Sequence, residues 1–404
     1  MKKKLFWRFS GNEKKYIHNI FQRGLRPKKV KNYNNLLENK WSRFHKLKYS
    51  ITINSCTSAL HVALRALELN NEDEVLVPAL TPVMCASSII LANLKPIFVD
   101  VEPNTFLIDP KDVEKKITSK TKAIILVHMY GGVCNSKVFV RIANKYKIKI
   151  IEDCAESLGA RDKHGKLCGT IGDIACWSFQ QAKHITCGDG GMLSTNNMRL
   201  AEKIRKFSNL GFKFLKANAD EIIVSKEKLQ NPETERFELV GYNYRLNEFS
   251  AAIAFAQFER INFFIKKRRE VSLKLLKEIK KCNFLTPQKI DKKTFSTFYT
   301  LSVRLKTSKV RWKDFRKKFI EFGGDSIYAA SKILQDEPSI KYGNIGRCYK
   351  NCRNNCLEKC NGTPIAKHLQ GQLLNFCTNQ GDKKNIDNQV QAIKKTIKYF
   401  NAKI

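Results

Sequence analysis

Between residues 50 and 179, short apolar runs alternate with stretches whose apolar residues sit at helical spacing. That alternation constrains the fold more than any other feature of the chain. Residues 50–54, 74–77, 95–100, 123–128, 148–153 and 174–179 read as strands. Residues 57–69 carry Ala59, Leu60, Ala63 and Leu67 on one helical face, and 79–94 and 137–146 read as a turn with a helix and a crossover helix. Strands separated by helices predict an α/β fold with a mostly parallel central sheet covered on both faces. In such sheets the loops after the strand C-termini collect the chemistry. Here those loops are polar: 54–57, 128–132, 153–156 and 178–191.

Downstream, Ala251, Ala252, Phe255, Phe258, Ile261 and Phe264 predict one long helix over 248–268 that leads out of the main domain. A strand over 297–303, a helix over 312–320 and a final helix striped by Ile386, Val390, Ile393, Ile397 and Phe400 make a smaller mixed unit. We therefore expect a large domain over 1–265 and a small α+β domain over 266–404.

Composition excludes several classes. With 404 residues, 43% hydrophobic, disorder throughout the chain is ruled out. The formal charge is +37, but the lysines are spread through nearly every segment, without an aromatic-basic stripe for stacking bases, so no specific nucleic-acid partner is expected. The most apolar stretch, 85–94, is half the ~20 residues needed to cross a bilayer, and residues 1–10 lack the apolar run of a signal peptide. Thirteen cysteines fit reduced thiols in the cytoplasm better than a disulfide scaffold. No glycine-rich dinucleotide loop or Walker pattern is present.

The segments NSCTSALH at 54–61, DEVLVP at 73–78, KPIFVDV at 95–101, EDCAESLGA at 152–160, SFQQAKHITCGDGGM at 178–192 and GYNYRLNE at 241–248 occur in an order and spacing that is specific. Together they resemble the DegT/DnrJ/StrS family of pyridoxal-phosphate aminotransferases acting on nucleotide-linked keto sugars, within the aspartate-aminotransferase fold type I. The resemblance covers most of the chain. It implies pyridoxal 5'-phosphate (PLP) as cofactor, L-glutamate as amino donor, a homodimer, and a role in amino-sugar and glycan biosynthesis.

Residue by residue, the resemblance makes Lys183 the Schiff-base lysine and proton shuttle, two roles that require an amine. Asp153, at the end of a strand, is implied as the partner of the pyridine nitrogen, with a helix cap as its plainer reading. Ala155 is small enough for the ring to lie against it, and Glu156 is implied at the cofactor's phenolic oxygen or the substrate, or else on a surface helix. Ser55, Cys56 and Thr57 at a helix start, with Ser178, are implied as phosphate donors, Thr57 alternatively as a simple cap. Asn243 resembles the residue that reaches the phosphate from the opposing subunit. The acceptor implied is a 4-keto-6-deoxyhexose on a nucleoside diphosphate; a 3-keto sugar, an inositol-type ketone, dehydration of the sugar and a non-enzymatic basic scaffold stand as alternatives.

Three features depart from the pattern or stand apart. Cys56 stands where many relatives have glycine, and Pro82 where relatives usually stack an aromatic ring. His128 reads either as support for the substrate pocket or as a satisfied core histidine. Cys348, Cys352, Cys356 and Cys360 recur every four residues, and on a continuous helix the outer pair would lie ~18 Å apart, too far for one zinc at about 2.3 Å from each sulfur. A reduced thiol stripe is expected, with a broken-helix metal site and disulfide chemistry as alternatives. Protein purified without added zinc is accordingly expected to keep no stoichiometric metal after dialysis; one retained equivalent by elemental analysis reverses that reading.

Overall fold

The computed structural model describes residues 6–25, 32–218, 224–341 and 362–404. Its larger sheet has seven strands: β1 (Tyr49–Ile53), β2 (Glu74–Pro78), β3 (Lys95–Val99), β4 (Thr121–Val127), β5 (Lys149–Asp153), β6 (Ile174–Ser178) and β7 (Gly191–Thr195). The order is β1-β7-β6-β5-β4-β2-β3. From β3 through β6 every pairing is parallel, while β7 runs antiparallel to both neighbours. All five residues of β2 are buried, which explains why its sequence is a continuous run with no polar alternation.

Six of these strands fall where the sequence places them, to within two residues. β7 is not among the expected strands, because 178–191 reads as one polar loop and the Met-Leu-Ser-Thr that follows is short. Two N-terminal helices, Glu13–Arg23 and Tyr33–His45, precede the sheet. The second buries Tyr33, Leu37, Trp41 and His45, four residues apart along one face. Trp41 is wholly buried, with its ring 5.3 Å from Trp177, 5.3 Å from Phe179 and 4.6 Å from Phe258. Burial of such a side chain is worth roughly 2–3 kcal/mol.

The single helix expected over 248–268 is two helices, Glu248–Glu259 and Ile261–Ile279, divided at Arg260, whose φ/ψ of −107°/15° leaves the helical region. The second helix serves two cores. Ile261, Phe264 and Ile265 pack with Trp41, Trp177 and Phe258, whereas Val271, Leu275 and Ile279 pack with Phe315, Phe376, Ile393 and Phe400. That second core lies on a four-stranded antiparallel sheet of β8 (Leu285–Pro287), β9 (Thr300–Leu305), β10 (Ile327–Tyr328) and β11 (Leu373–Cys377), in the order β10-β11-β9-β8. Helices Trp312–Glu321 and Lys383–Asn401 contribute to it. We propose the domain boundary at 265/266, inside this shared helix. The four regularly spaced cysteines at 348–360 lie outside the described residues. Among the described residues no helix is long and apolar enough to cross a membrane.

Gly169 tests the large core. Its φ is +87° and an added Cβ would overlap the Trp177 ring, so Gly169→Ala combines backbone strain with overpacking. The expected loss is roughly 2–4 kcal/mol of unfolding free energy, read by urea denaturation.

Candidate active site

β4, β5 and β6 end side by side, with Val127 opposite Asp153 and Asp153 opposite Cys176. Asp153 is only 5% exposed. Its Oδ1 accepts the Ala155 N–H at 3.0 Å and lies 3.9 Å from Cys56 Sγ, while Oδ2 lies 3.2 Å from Cys85 Sγ. Burial, and then the charge of Asp153, push both thiols well above the ordinary thiol range, so they stand protonated beside the carboxylate.

Lys183 lies in the loop after β6, its Nζ 3.3 Å from Glu156 Oε1 and 4.2 Å from the centre of the Tyr299 ring. Burial disfavours its charge, but Glu156, Tyr299 and Asp153 outweigh that, and the amine holds its proton more tightly than an ordinary lysine. Glu156 is fixed in turn by the Tyr130 N–H, which donates to Oε2 at 2.9 Å. Tyr130 takes up φ 65° and Gly131 φ 86°, and a side chain on Gly131 would overlap the backbone of Phe298.

The main chain around Lys183 is held by two buried arginines that sequence reasoning missed. Arg8 donates to the carbonyl oxygens of Gln181 at 2.7 Å, Lys183 at 2.6 Å and His184 at 3.3 Å. Arg268 donates to Ala182 at 2.6 Å, Lys183 at 3.1 Å and Tyr299 at 2.7 Å, and to Thr378 Oγ1 at 3.2 Å. Burial, and then repulsion from Arg268, bring Arg8 down to about 9, and burial also lowers Arg268. At neutral pH Arg8 still carries its charge. Separations of about 175 and 85 residues leave no local signal for these contacts.

Ser55 caps the helix Cys56–Ala66, its Oγ accepting the Ser58 N–H at 3.1 Å. The amides of Cys56 and Thr57 have no partner within the helix and are available to an anion. Cys56 takes a helical backbone and turns its thiol into the core, so glycine is not required there. Gly191 runs tightly beneath this turn, where a Cβ would stand 2.9 Å from the Ser55 carbonyl carbon and 3.0 Å from the Cys56 nitrogen. Ser178 closes β6, with its Oγ accepting the Gln180 N–H at 3.3 Å. Asn54 Oδ1 is buried without a hydrogen-bond partner beside the same loop. A half-buried amine, a carboxylate and a helix start with open amides fit the aldehyde, ring nitrogen and phosphate of PLP.

Asn243 is the neighbour of a residue that borders the 54–57 turn. It is exposed, with its Oδ1 accepting from Arg245 Nε at 3.0 Å, on a segment whose Tyr244 carbonyl takes the Asn54 N–H at 2.8 Å. Pro82 is half-buried beside wholly buried Thr81.

His128 belongs to the core. Its Nε2 is 3.0 Å from Glu152 Oε2, and its Nδ1 accepts the Cys134 N–H at 3.0 Å, which assigns the ring proton to Nε2. Glu152 also accepts N–H groups from Gly169 at 2.9 Å, Ile171 at 2.7 Å and Gly172 at 2.8 Å. His128, Glu152, Cys154 and Cys168 place one ligand atom each within 4.8 Å of the others, but the histidine and the carboxylate already spend their lone pairs on hydrogen bonds. The cluster is a brace rather than a metal site.

A family model described as the DegT/DnrJ/EryC1/StrS aminotransferase family matches residues 11–333. The GDP-perosamine synthase of Escherichia coli O157:H7 is 35% identical over 302 residues, covering 75% of this chain and 77% of that protein. Among solved structures, an aminotransferase from Psychrobacter cryohalolentis superposes with a TM-score of 0.82 at 25% identity, covering 96% of this chain and 97% of that one. An E. coli GDP-4-keto-6-deoxy-D-mannose-3-dehydratase with hydrated PLP bound superposes with a TM-score of 0.78 at 22% identity, covering 95% and 96%.

Replacing Arg8 with alanine leaves the Gln181 and His184 carbonyl oxygens without this charged donor and the Lys183 carbonyl with Arg268 alone. Arg8→Ala should cost roughly 2–4 kcal/mol in urea unfolding and loosen cofactor retention on gel filtration.

Proposed function

We propose that this chain, which belongs to the DegT/DnrJ/EryC1/StrS aminotransferase family, moves an amino group from L-glutamate to a keto-deoxyhexose carried on a nucleoside diphosphate, a 4-keto-6-deoxy sugar in particular. It is a PLP-dependent aminotransferase. The nucleotide-linked acceptor is supported by the relative named GDP-perosamine synthase. The observation that carries the catalytic reading is the half-buried amine of Lys183 at 3.3 Å from Glu156, in the loop after β6 and within reach of the charge of Asp153 at the end of β5.

In this reading Lys183 would hold the cofactor through Nζ and, when its amine is free, would carry a proton to and from the donor's α-carbon. PLP, when bound, supplies the electron sink for the pair that proton leaves behind. Asp153 keeps a proton on the ring nitrogen, which a buried carboxylate does more strongly than an exposed one. Glu156 is placed to take the proton that Lys183 must lose before it can act as a base. Ala155 would leave room for the ring, while the amides and hydroxyls at Ser55, Cys56 and Thr57, with Ser178, would hold the phosphate. Asn243 completes that phosphate site from the other subunit of a homodimer in the cytoplasm.

Dehydration, the chemistry named for one protein of the same fold, is disfavoured by the residues at hand. In the dehydrating relatives of the resemblance a histidine replaces the lysine, whereas here Lys183 is present. Its neighbour His184 is buried, held below the ordinary histidine range by burial, and sits 3.3 Å from the Thr297 carbonyl through Nε2.

Lys183→Ala is expected to abolish the borohydride-trappable cofactor adduct and to lower turnover by roughly 10³-fold or more. Retained adduct and activity reject the assignment. Mass analysis of glutamate-dependent reactions with nucleotide-linked 4-keto and 3-keto sugars should show the amine mass change with the 4-keto acceptor; reaction with the 3-keto sugar alone overturns that choice.

A further inference from the structure

The side chain of Cys85 stands against the carboxylate on which the proposed chemistry turns. Oδ1 of Asp153 is engaged by the Ala155 amide of its own turn, whereas Oδ2 meets the Cys85 sulfur, 68 residues away, at 3.2 Å. Both residues are buried. Cys85 is set in the first turn of the helix Met84–Leu91, and its carbonyl accepts the Ser88 hydroxyl at 3.0 Å. Its sulfur is also 3.6 Å from Thr81 Oγ1, but the Thr81 hydroxyl donates its own hydrogen to Met129 Sδ at 3.6 Å. The thiol hydrogen therefore chooses between a neutral hydroxyl oxygen and a carboxylate, and the charged acceptor is the stronger one.

We propose that Cys85 is a positioning residue for Asp153. Its thiol holds the second carboxylate oxygen and, as a weak donor, sets how firmly that carboxylate keeps a proton on the cofactor ring. The inference rests on the reading that Asp153 faces the ring nitrogen. A thiol withdraws less charge from a carboxylate than a hydroxyl does. Carboxylate basicity should then rise in the order Cys85→Ser, unsubstituted protein, Cys85→Ala. A more basic Asp153 leaves more negative charge in the pocket, which favours the proton on the link between Lys183 and the cofactor. The same ordering should therefore appear in the acid–base titration of that link.

The experiment is a pH titration of the visible absorbance of the full-length, PLP-reconstituted protein and of the two variants, with near-ultraviolet circular dichroism to verify folding. Relative to the unsubstituted protein, the midpoint should move up in Cys85→Ala and down in Cys85→Ser, by about 0.3–1 pH unit each. Cofactor retention, read by equilibrium dialysis, should weaken about two- to tenfold in Cys85→Ala. Midpoints that coincide overturn the proposal, as do shifts of both variants to the same side, which is what a packing defect alone produces. Should Cys85→Ala fail to fold, Cys85→Ser decides: a downward shift supports the proposal and no shift overturns it. Absence of any titrating band in the unsubstituted protein sinks the Lys183 reading and this inference together, whereas a normal band with an invariant series removes only the role of Cys85.

Discussion

Two adjacent carboxylates at the end of β5 organise the molecule, because neighbouring residues of a strand face opposite sides of a sheet. Glu152 turns inward and gathers N–H groups from Gly169, Ile171 and Gly172 together with the His128 ring. Stripping a carboxylate of water is expensive unless its oxygens are fully satisfied, and here they are. That satisfied network ties β5 to the end of β4 and to the loop that precedes β6. Asp153, one residue on, inherits the rigidity and presents its own carboxylate to the Ala155 amide and the thiols of Cys56 and Cys85.

The lysine is fixed by a different device. Arg8 and Arg268 approach the loop from an N-terminal segment and from the helix Ile261–Ile279, and both donate to the Lys183 carbonyl. Two guanidinium groups beside an ammonium would repel it if nothing else were near. Glu156, Asp153 and the Tyr299 ring face supply the opposing charge, and they leave the amine protonated but adjacent to a carboxylate that can receive the proton.

What could be read from the chain alone follows from the range of the interaction. The parallel strands declared themselves because burial on both faces makes each a compact apolar run. β7 did not, since an antiparallel strand opening on glycine carries only four further residues of signal. Lys183, Asp153, Glu156 and the 55–57 turn were visible through motif order. Arg8, Arg268, Tyr299 and Cys85 were not, because each meets the site across a long sequence separation and none is marked by its neighbours. His128 shows the limit of position as evidence: it directly follows β4 beside Asp153, yet its ring is spent on Glu152. Cys56 shows the converse, since a departure from glycine costs little where the backbone stays helical.

The helix Ile261–Ile279 is anchored at one end among the aromatic rings around Trp41 and at the other in the core of the smaller sheet. Arg268 stands between the two anchors with its guanidinium on the Lys183 and Tyr299 carbonyls. The helix is thus an axle shared by the two cores, and Arg268 is the pin that couples it to the main chain of Lys183 and Tyr299.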